Sequence, residues 1–447
     1  MAVAVVVTTS CSNELDEALQ SVGNGTLQFV VSDFPTFGES TQTRAIGTLD
    51  EGKTAWENGD QIIVTLISQK YGEQAAALTY NGSSWSTEAS LSYLENETPS
   101  VSVFYAPCYE VTEEGTMQLR SGMQLGMTEY LSGNYEMDNG IMTITFEGAI
   151  RTYSRLRIAG LANQTLTVTT TNFTPAGATE VATDAYTLTT DNNGNAFLYG
   201  VFAEDATVIV KQGTVVLKDY TFTAEKNPNG TEHNKSYALD ARPVIDGTLG
   251  GKAEATEDDI TALVEQLKEY VDNGITTIIV PGSEPALIEM DSWTNTAIGE
   301  AIYRLSGSDD YDENNPYNGK IDLILQDVTE IVDQEFYSAW ALNSITLPKV
   351  IKIGDEAFHR TWFLKTITFE SVLTEVNETG GVMFAQVGKE VDGCNLFINC
   401  GQMKENSVPT PDLTTNTWKF KFENEFKSIT LTHTGENSEC DECKKLQ

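Results

Sequence analysis

Residues 331–350 read IVDQEFYSAWALNSITLPKV, and residues 353–372 read IGDEAFHRTWFLKTITFESV. Matching positions are offset by 22 residues: Ile331 and Ile353, Asp333 and Asp355, Phe336 and Phe358, Trp340 and Trp362, Leu342 and Leu364, Ile345 and Ile367, and Val350 and Val372. Apolar residues repeating at a fixed period in the twenties are typical of a solenoid, whose units bury their apolar sides by stacking. The repeat therefore predicts stacked units across residues 320–376.

Composition restricts the classes of function. A length of 447 residues predicts two to four domains, and the 40% hydrophobic content is enough for their cores. A formal net charge of −38, with 27 Lys and Arg against 65 Asp and Glu, argues against nucleic acid and anionic lipid as partners. Such acidity favours solubility at an exposed surface.

The N-terminus, MAVAVVVTTSCSNELDE, resembles the end of a bacterial lipoprotein signal. The resemblance implies lipidation of Cys11 and an acidic tether of the kind that directs such proteins to the outer membrane, with residues 1–24 as signal remnant and tether. Thr8 stands where the motif has Leu, and no positive charge precedes the apolar run. The alternative is a buried strand with a core cysteine.

The pattern of strands and helices predicts the domain order. Residues 25–240 consist of short runs rich in Val, Ile, Thr, Tyr and Phe, with hairpin signals at Asn81-Gly82 and Asn193-Gly194. They predict two β-sandwiches, 25–149 and 150–243. An amphipathic helix is expected between Thr256, as cap, and Gly274, and a second over 297–305. The helices are expected to cap a solenoid domain of residues 244–435, before a tail of residues 436–447.

Two resemblances refine this fold class. The repeats resemble the BspA-type leucine-rich repeat, with Glu335-Phe336 and Ala357-Phe358 in its Ala-Phe position. The first half resembles the fimbrillin-like proteins of Bacteroidales, through QTRAIG, WENGDQIIV, LTYNGSSW, VFYAP, SRLRIAGL and GNAFLYG. They imply a mainly β, multidomain chain: two transthyretin-like β-sandwiches followed by a leucine-rich-repeat solenoid with N-terminal capping helices.

The fimbrillin resemblance also implies a processing site. In polymerising members, cleavage after an Arg frees a groove that accepts a donor strand from the next subunit. Arg44, followed by Ala45, occupies the matching position. The alternative is an ordinary loop arginine.

The cysteines and histidines indicate no catalytic centre. The pairs Cys394/Cys400 and Cys440/Cys443 are candidates for disulfides within or between the pairs, with zinc or free thiols as the alternatives, and Cys108 is expected to be a small buried side chain. His233, His359 and His433 lack metal-ligand spacing, and the acidic loop at residues 310–321 only half-matches a calcium loop. We therefore predict a protein without metal, cofactor or enzymatic activity.

Four residues of the repeat are candidates for ligand binding: Tyr337, Trp340, His359 and Trp362. Residues one repeat apart would stack about 4.8 Å apart in two aromatic columns. Such columns could bind a protein or glycan on a host or bacterial surface. The alternative is that the two tryptophans fill the core beneath a turn or pack against a sandwich domain.

The leading functional hypothesis is a non-enzymatic, lipid-anchored outer-membrane adhesin, with a fimbrillin-like stalk that presents a leucine-rich-repeat binding domain. The first alternative is a tip or accessory subunit of a type V pilus, which would bind other pilin subunits by β-strand addition. The second is a glycan-binding outer-membrane lipoprotein.

Overall fold

The structure is a computed structural model that describes residues 20–22, 25–35, 52–94, 97–138, 141–146, 151–223, 230–282, 285–288, 294–307, 311–376, 383–403, 411–412, 417–418 and 426–432. The chain forms two compact units. Unit 1 comprises Met1–Lys211 and Val216–Ala241, and unit 2 comprises Gln212–Val215 and Arg242–Gln447.

The first part of unit 1 is an eight-stranded sheet in the order β1-β2-β10-β9-β6-β3-β4-β5. Its strands, with the separate β7–β8 pair, are β1 Gln20–Val22, β2 Gly25–Val31, β3 Gln61–Ser68, β4 Gly72–Tyr80, β5 Trp85–Ser86, β6 Ser100–Tyr105, β7 Tyr109–Val111, β8 Met117–Leu119, β9 Leu131–Asp138 and β10 Ile141–Thr145. In β3, the alternating Ile62, Val64 and Leu66 enter one core. The predicted hairpin at Asn81-Gly82 is confirmed, because β4 and β5 pair across it.

The second part of unit 1 is a six-stranded sheet in the order β13-β12-β14-β11-β16, with β15 beside β14. Its strands are β11 Ser154–Ala159, β12 Thr165–Pro175, β13 Ala185–Thr189, β14 Asn195–Gln212, β15 Val215–Thr221 and β16 Ser236–Asp240. The predicted hairpin at Asn193-Gly194 is wrong, since β12 lies between the strands that this turn joins.

Unit 2 combines two helices with parallel strands. Its elements are β17 Glu254–Ala255, α1 Glu257–Asp272, β18 Thr277–Val280, β19 Leu287–Ile288, α2 Ala297–Leu305, β20 Ile321–Leu325, β21 Glu330–Ile331, β22 Leu342–Leu347, β23 Lys352–Ile353, β24 Thr366–Phe369, β25 Glu375–Val376, β26 Asn395–Asn399, a 3-10 turn Cys400–Met403, β27 Pro411–Asp412, β28 Thr417–Trp418 and β29 Ser428–Thr432. Both predicted helices are confirmed. Thr256 and Asp259 form the capping box of α1, because each side chain binds the other residue's backbone N–H.

The predicted fold class is wrong, because the described residues do not form a solenoid of repeats. Strands β18, β20, β22, β24, β26 and β29 form one parallel sheet, and β21, β23 and β25 form another. In the larger sheet, the aligned residues are Ile278, Leu323, Ile345, Ile367, Leu396 and Ile429. Their separations are 45, 22, 22, 29 and 33 residues, so only two steps keep the repeat. The similarity of residues 331–350 and 353–372 is therefore local.

The mainly β character is observed, with two α-helices among the described residues. Parallel strands need a crossover of about a dozen residues or more, and any longer connection also serves, so segments of unequal length can share one sheet. Neither helix is long and apolar enough to cross a membrane.

Candidate functional site

Strand β2 lies second from one edge of the first sheet. It pairs in parallel with β10 on one side, and its other neighbour is the short β1. Beyond β2, Ser32 N–H donates to Ile144 O, and Phe146 N–H donates to Ser32 Oγ, both at 2.9 Å. Phe29, Val31 and Phe34 are all buried in the core of the first sheet. This segment therefore completes the core with side chains that the rest of the unit does not supply.

Phe34 lies in a pocket that we call the Phe34 box, formed by Trp56, Tyr105, Lys53 and Arg151. The ring centroids of Trp56 and Tyr105 lie 4.9 and 5.4 Å from that of Phe34, each edge-to-face at 84°. Lys53 Nζ and Arg151 Cζ each lie 5.7 Å from the same centroid. Edge-to-face rings and cations near a π face are both attractive arrangements.

The box also binds the backbone on both sides of Phe34. Trp56 Nε1 donates to Ser32 O at 2.8 Å, and an Nη of Arg151 donates to Pro35 O at 2.7 Å. Since a carbonyl two residues before Phe34 and the carbonyl directly after it both accept from side-chain donors, the position of the segment along the groove is determined.

Both cations of the box are paired with carboxylates. Arg151 is 1% exposed and Glu129 is 6% exposed, and Arg151 Nε donates to Glu129 Oε2 at 2.9 Å. Burial raises the pKa of Glu129, and the charge of Arg151 opposes that rise. Lys53 Nζ lies 3.0 Å from Asp60 Oδ1. The box therefore has little net charge and suits a neutral aromatic side chain better than an anion.

Two tyrosine hydroxyls donate hydrogen bonds to the carboxylates of these ion pairs. Tyr153 OH donates to Glu129 at 3.1 Å, and Tyr105 OH donates to Asp60 at 3.3 Å. Burial raises the pKa of both tyrosines, and the neighbouring carboxylates raise it further. Both hydroxyls therefore remain protonated donors at neutral pH.

A cavity of about 410 Å³ adjoins the box in unit 1. Tyr105 lines it from β6, Lys53 and Glu129 line it from segments outside the strands, and Phe197 and Tyr199 line it from β14. The box thus has free volume on one side.

The four predicted ligand-binding residues lie together in unit 2. Trp340 and Trp362 stack with centroids 5.0 Å apart, and Tyr337 meets His359 edge-to-face at 5.3 Å. Trp340 is 1% exposed and Trp362 is 8% exposed. Tyr311, 38% exposed, contacts both indoles at 5.1 and 4.9 Å. The tryptophans are packing residues in this structure, and a role in ligand binding stays a prediction.

The two indole N–H groups are also used internally. Trp340 Nε1 donates to Arg360 O at 2.9 Å, and Trp362 Nε1 donates to Gln386 Oε1 at 3.1 Å. A ligand would have to displace these bonds to use the same donors.

The cysteine predictions are only partly within the described residues. Cys394 and Cys400 are buried at opposite ends of β26, and an extended strand of this length separates their Cα atoms by roughly 20 Å. A disulfide requires less than about 7 Å, so the structure excludes a bridge within this pair. Burial raises the pKa of the free Cys394 thiol to about 12. Cys108 is a buried free thiol.

The remaining predicted residues lie outside the described ranges: Cys11, Arg44, Ala45, Cys440 and Cys443. Within the described ranges, no group of three or more His, Cys, Asp or Glu side chains could hold a metal ion.

Sequence reasoning did not identify the Phe34 box. Trp56 and Tyr105 occur in the WENGDQIIV and VFYAP motifs, but as marks of a family and not as parts of one site. The available signal was Phe34-Pro35 directly after a strand, since proline ends regular pairing and the preceding aromatic must then find a separate environment.

Comparison with known proteins gives only distant similarity. No protein-family model and no curated protein matches the chain. A proposed cell adhesion protein from Bacteroides fragilis is similar with a TM-score of 0.24 and 11% identity, over 48% of this chain and 91% of that one. The shaft pilin SpaA of Lactobacillus rhamnosus GG is similar with a TM-score of 0.17 and 12% identity, over 41% and 93% of the two chains. Similarities with TM-scores this low support no argument about function.

Proposed function

We propose that the chain is a non-enzymatic cell-surface protein of the adhesin or pilin class that assembles when a strand from another subunit replaces its own N-terminal strand. The observation that carries the proposal is the position of residues 25–35. The side chains of Phe29, Val31 and Phe34 lie in the core of the first sheet, while along the chain the segment is joined to the rest of unit 1 through residues 36–51. That connection contains Arg44, the predicted processing site.

Loss of this segment would leave a groove that must be refilled. Burial of a side chain such as Phe29, Val31 or Phe34 stabilises a fold by about 1.5–3 kcal/mol. Departure of the segment would also expose the backbone edge of β10, and an open edge readily pairs with another strand. A strand from a second subunit could restore both the pairing and the core, which is β-strand addition.

The anchored adhesin is the competing form of the same class. In that form Cys11 carries the lipid, residues 25–35 stay in place, and the ligand is a protein or glycan on a host or bacterial surface. The leucine-rich-repeat binding domain is not part of the proposal, because the repeat is local.

N-terminal sequencing of the protein purified from the cell surface tests the proposal. A start at Ala45 in high-molecular-weight assemblies is the expected result. A lipidated Cys11 in every surface molecule, with the chain monomeric, would contradict strand exchange and favour the anchored adhesin.

A further inference from the structure

We propose that the cavity of about 410 Å³ in unit 1, which we call the Glu129 cavity, binds one unit of a neutral sugar. In this arrangement Glu129 and Asp191 accept hydrogen bonds from the sugar hydroxyls, and the carbon face of the ring packs on Phe197 and Tyr199. Among the described residues, those that line the cavity do not include any of residues 25–35, so the proposal does not depend on strand replacement.

The first argument is the size of the cavity and the nature of its walls. Small-molecule sites enclose about 300–1,000 Å³ and are mostly apolar, with a few placed polar groups. Phe197 and Tyr199 lie on the same face of β14, with ring centroids 6.4 Å apart. Met123 and Met127 line the cavity from the segment between β8 and β9. The walls therefore offer apolar surface to one face of a flat ligand.

Hydrogen bonds fix the segment that carries the two methionines. Tyr199 N–H donates to Gly126 O at 2.7 Å, which joins this segment to β14. Cys108 N–H donates to Thr128 Oγ1 at 3.1 Å, which joins it to the residues after β6. The cavity is therefore formed before a ligand arrives, and binding requires little reorganisation of the protein.

The second argument is that the cavity presents acceptors that lack donors. Glu129 is 6% exposed, and the donors it has among the described residues, from Arg151 and Tyr153, all bind its Oε2 atom. Asp191 accepts two backbone N–H groups of its own turn through Oδ1, at 2.8 and 2.9 Å. Within the described part of the chain, Oε1 of Glu129 and Oδ2 of Asp191 have no donor. Acceptors in a poorly solvated place gain most from a ligand that supplies donors.

The third argument is the balance of charge. Lys53 Nζ lies 2.8 Å from Asp60, and Glu129 lies 2.9 Å from Arg151, so both of these lining charges are paired. An anionic ligand would bring its charge against Glu129 and Asp191, and a cationic ligand would compete with Arg151 for Glu129. A neutral ligand with several donors avoids both costs. A sugar ring has hydroxyl donors at its edge and an apolar carbon face, and so it matches the acceptors and the walls together.

The test uses the full chain labelled with ¹³C at the methionine methyl groups and observed by NMR spectroscopy. The probes are glucose, galactose and mannose, each as the free sugar and as its methyl glycoside. We expect at least one probe to shift the signals of Met123 and Met127 with a Kd of about 10 mM or tighter. Met383, in unit 2, should not move. If none of the probes shifts the two cavity methionines at about 50 mM, the proposal is wrong.

Charged analogues test the preference for a neutral ligand. The 2-amino and the uronic acid forms of the tightest probe should each bind about threefold more weakly or worse than the neutral sugar. Tighter binding of either charged form would overturn the proposal.

The two forms of each probe distinguish two sources of the same ligand. A methyl glycoside that binds as tightly as the free sugar supports the end of a glycan chain as the ligand. A site that rejects the methyl group supports a free monosaccharide. Both results support a neutral sugar.

Two substitutions on β13 locate the site. Thr189→Trp places an indole at the rim of the cavity and should weaken the tightest probe about tenfold or more. Thr187→Trp is the matched control, because Thr187 lies on the same exposed face of β13 but does not line the cavity, and it should change the affinity less than about twofold. The signal of Met142, fully buried in the core of the first sheet, reports that each variant is folded. Equal effects of the two substitutions would overturn the proposal.

A third substitution tests the acceptors. Asp191→Asn keeps Oδ1, and with it both bonds of the turn, but replaces the acceptor Oδ2 with an amide donor. It should weaken the tightest probe about threefold or more. Unchanged affinity would contradict binding of the sugar hydroxyls by Asp191.

Discussion

The substitution Arg151→Met tests how the N-terminal segment is held. Arg151 is almost fully buried, binds Glu129 and donates to Pro35 O. Removing one partner of a buried ion pair costs about 3–5 kcal/mol, because the remaining charge is left in a poorly solvated place. The free energy of unfolding of unit 1 should fall by that amount at pH 8.

The effect should depend on Glu129 and on pH. In Arg151→Met, burial raises the folded-state pKa of Glu129 and only the charge of Arg155 remains to oppose that rise, so the folded state holds a proton that the unfolded chain has lost. Stability of the variant then falls as the pH rises, and the loss relative to wild type should be smaller at pH 5 than at pH 8. The double variant Arg151→Met, Glu129→Gln should recover much of the loss at pH 8.

Hydrogen exchange measured by mass spectrometry on peptides from β3 and β10 reports unit 1 separately from unit 2. Equal losses of stability in the single and double variants at pH 8 would contradict this role of the Arg151–Glu129 pair. So would a loss in Arg151→Met that is the same at both pH values.

Three further predictions concern unit 2, each measured by hydrogen exchange. Burial raises the pKa of Glu335 from 4.5 to about 8, so the folded state keeps a proton that the unfolded chain loses. The free energy of unfolding should therefore fall as the pH rises between these values. Glu335→Gln should flatten that dependence on pH, and an unchanged slope would contradict the role of Glu335. Trp340→Ala should destabilise by about 3–5 kcal/mol, whereas the exposed Tyr311→Ala should cost less than about 1 kcal/mol; equal costs would argue against a packing role. Thr256→Ala should cost about 1 kcal/mol by removing the cap of α1, and unchanged protection of the α1 amides would exclude this role.

Local signals in the sequence predicted local structure well. The first helix of unit 2 followed from Thr256, Asp259 and Gly274, because capping depends on residues within one turn. The hairpin at Asn81-Gly82 followed for the same reason. At Asn193-Gly194 the same signal failed, since a turn does not determine which strand lies beside which in a sheet.

Long-range features could not be derived in this way. Phe34, Trp56, Tyr105 and Arg151 are far apart along the chain, and only the folding of the first sheet brings them together. The repeat at residues 331–372 misled for the opposite reason. Two similar units predict an array, but neighbouring strands of the same parallel sheet are reached by connections of other lengths.

Strand replacement tests the central claim most directly. The full chain, cleaved specifically within residues 36–51, is incubated with a mass-labelled copy of its own N-terminal fragment, and the bound fragment is followed by native mass spectrometry. The account predicts that the labelled fragment replaces the original one while the exchange protection of β3 remains intact. Retention of the original fragment until unit 1 unfolds as a whole would contradict it.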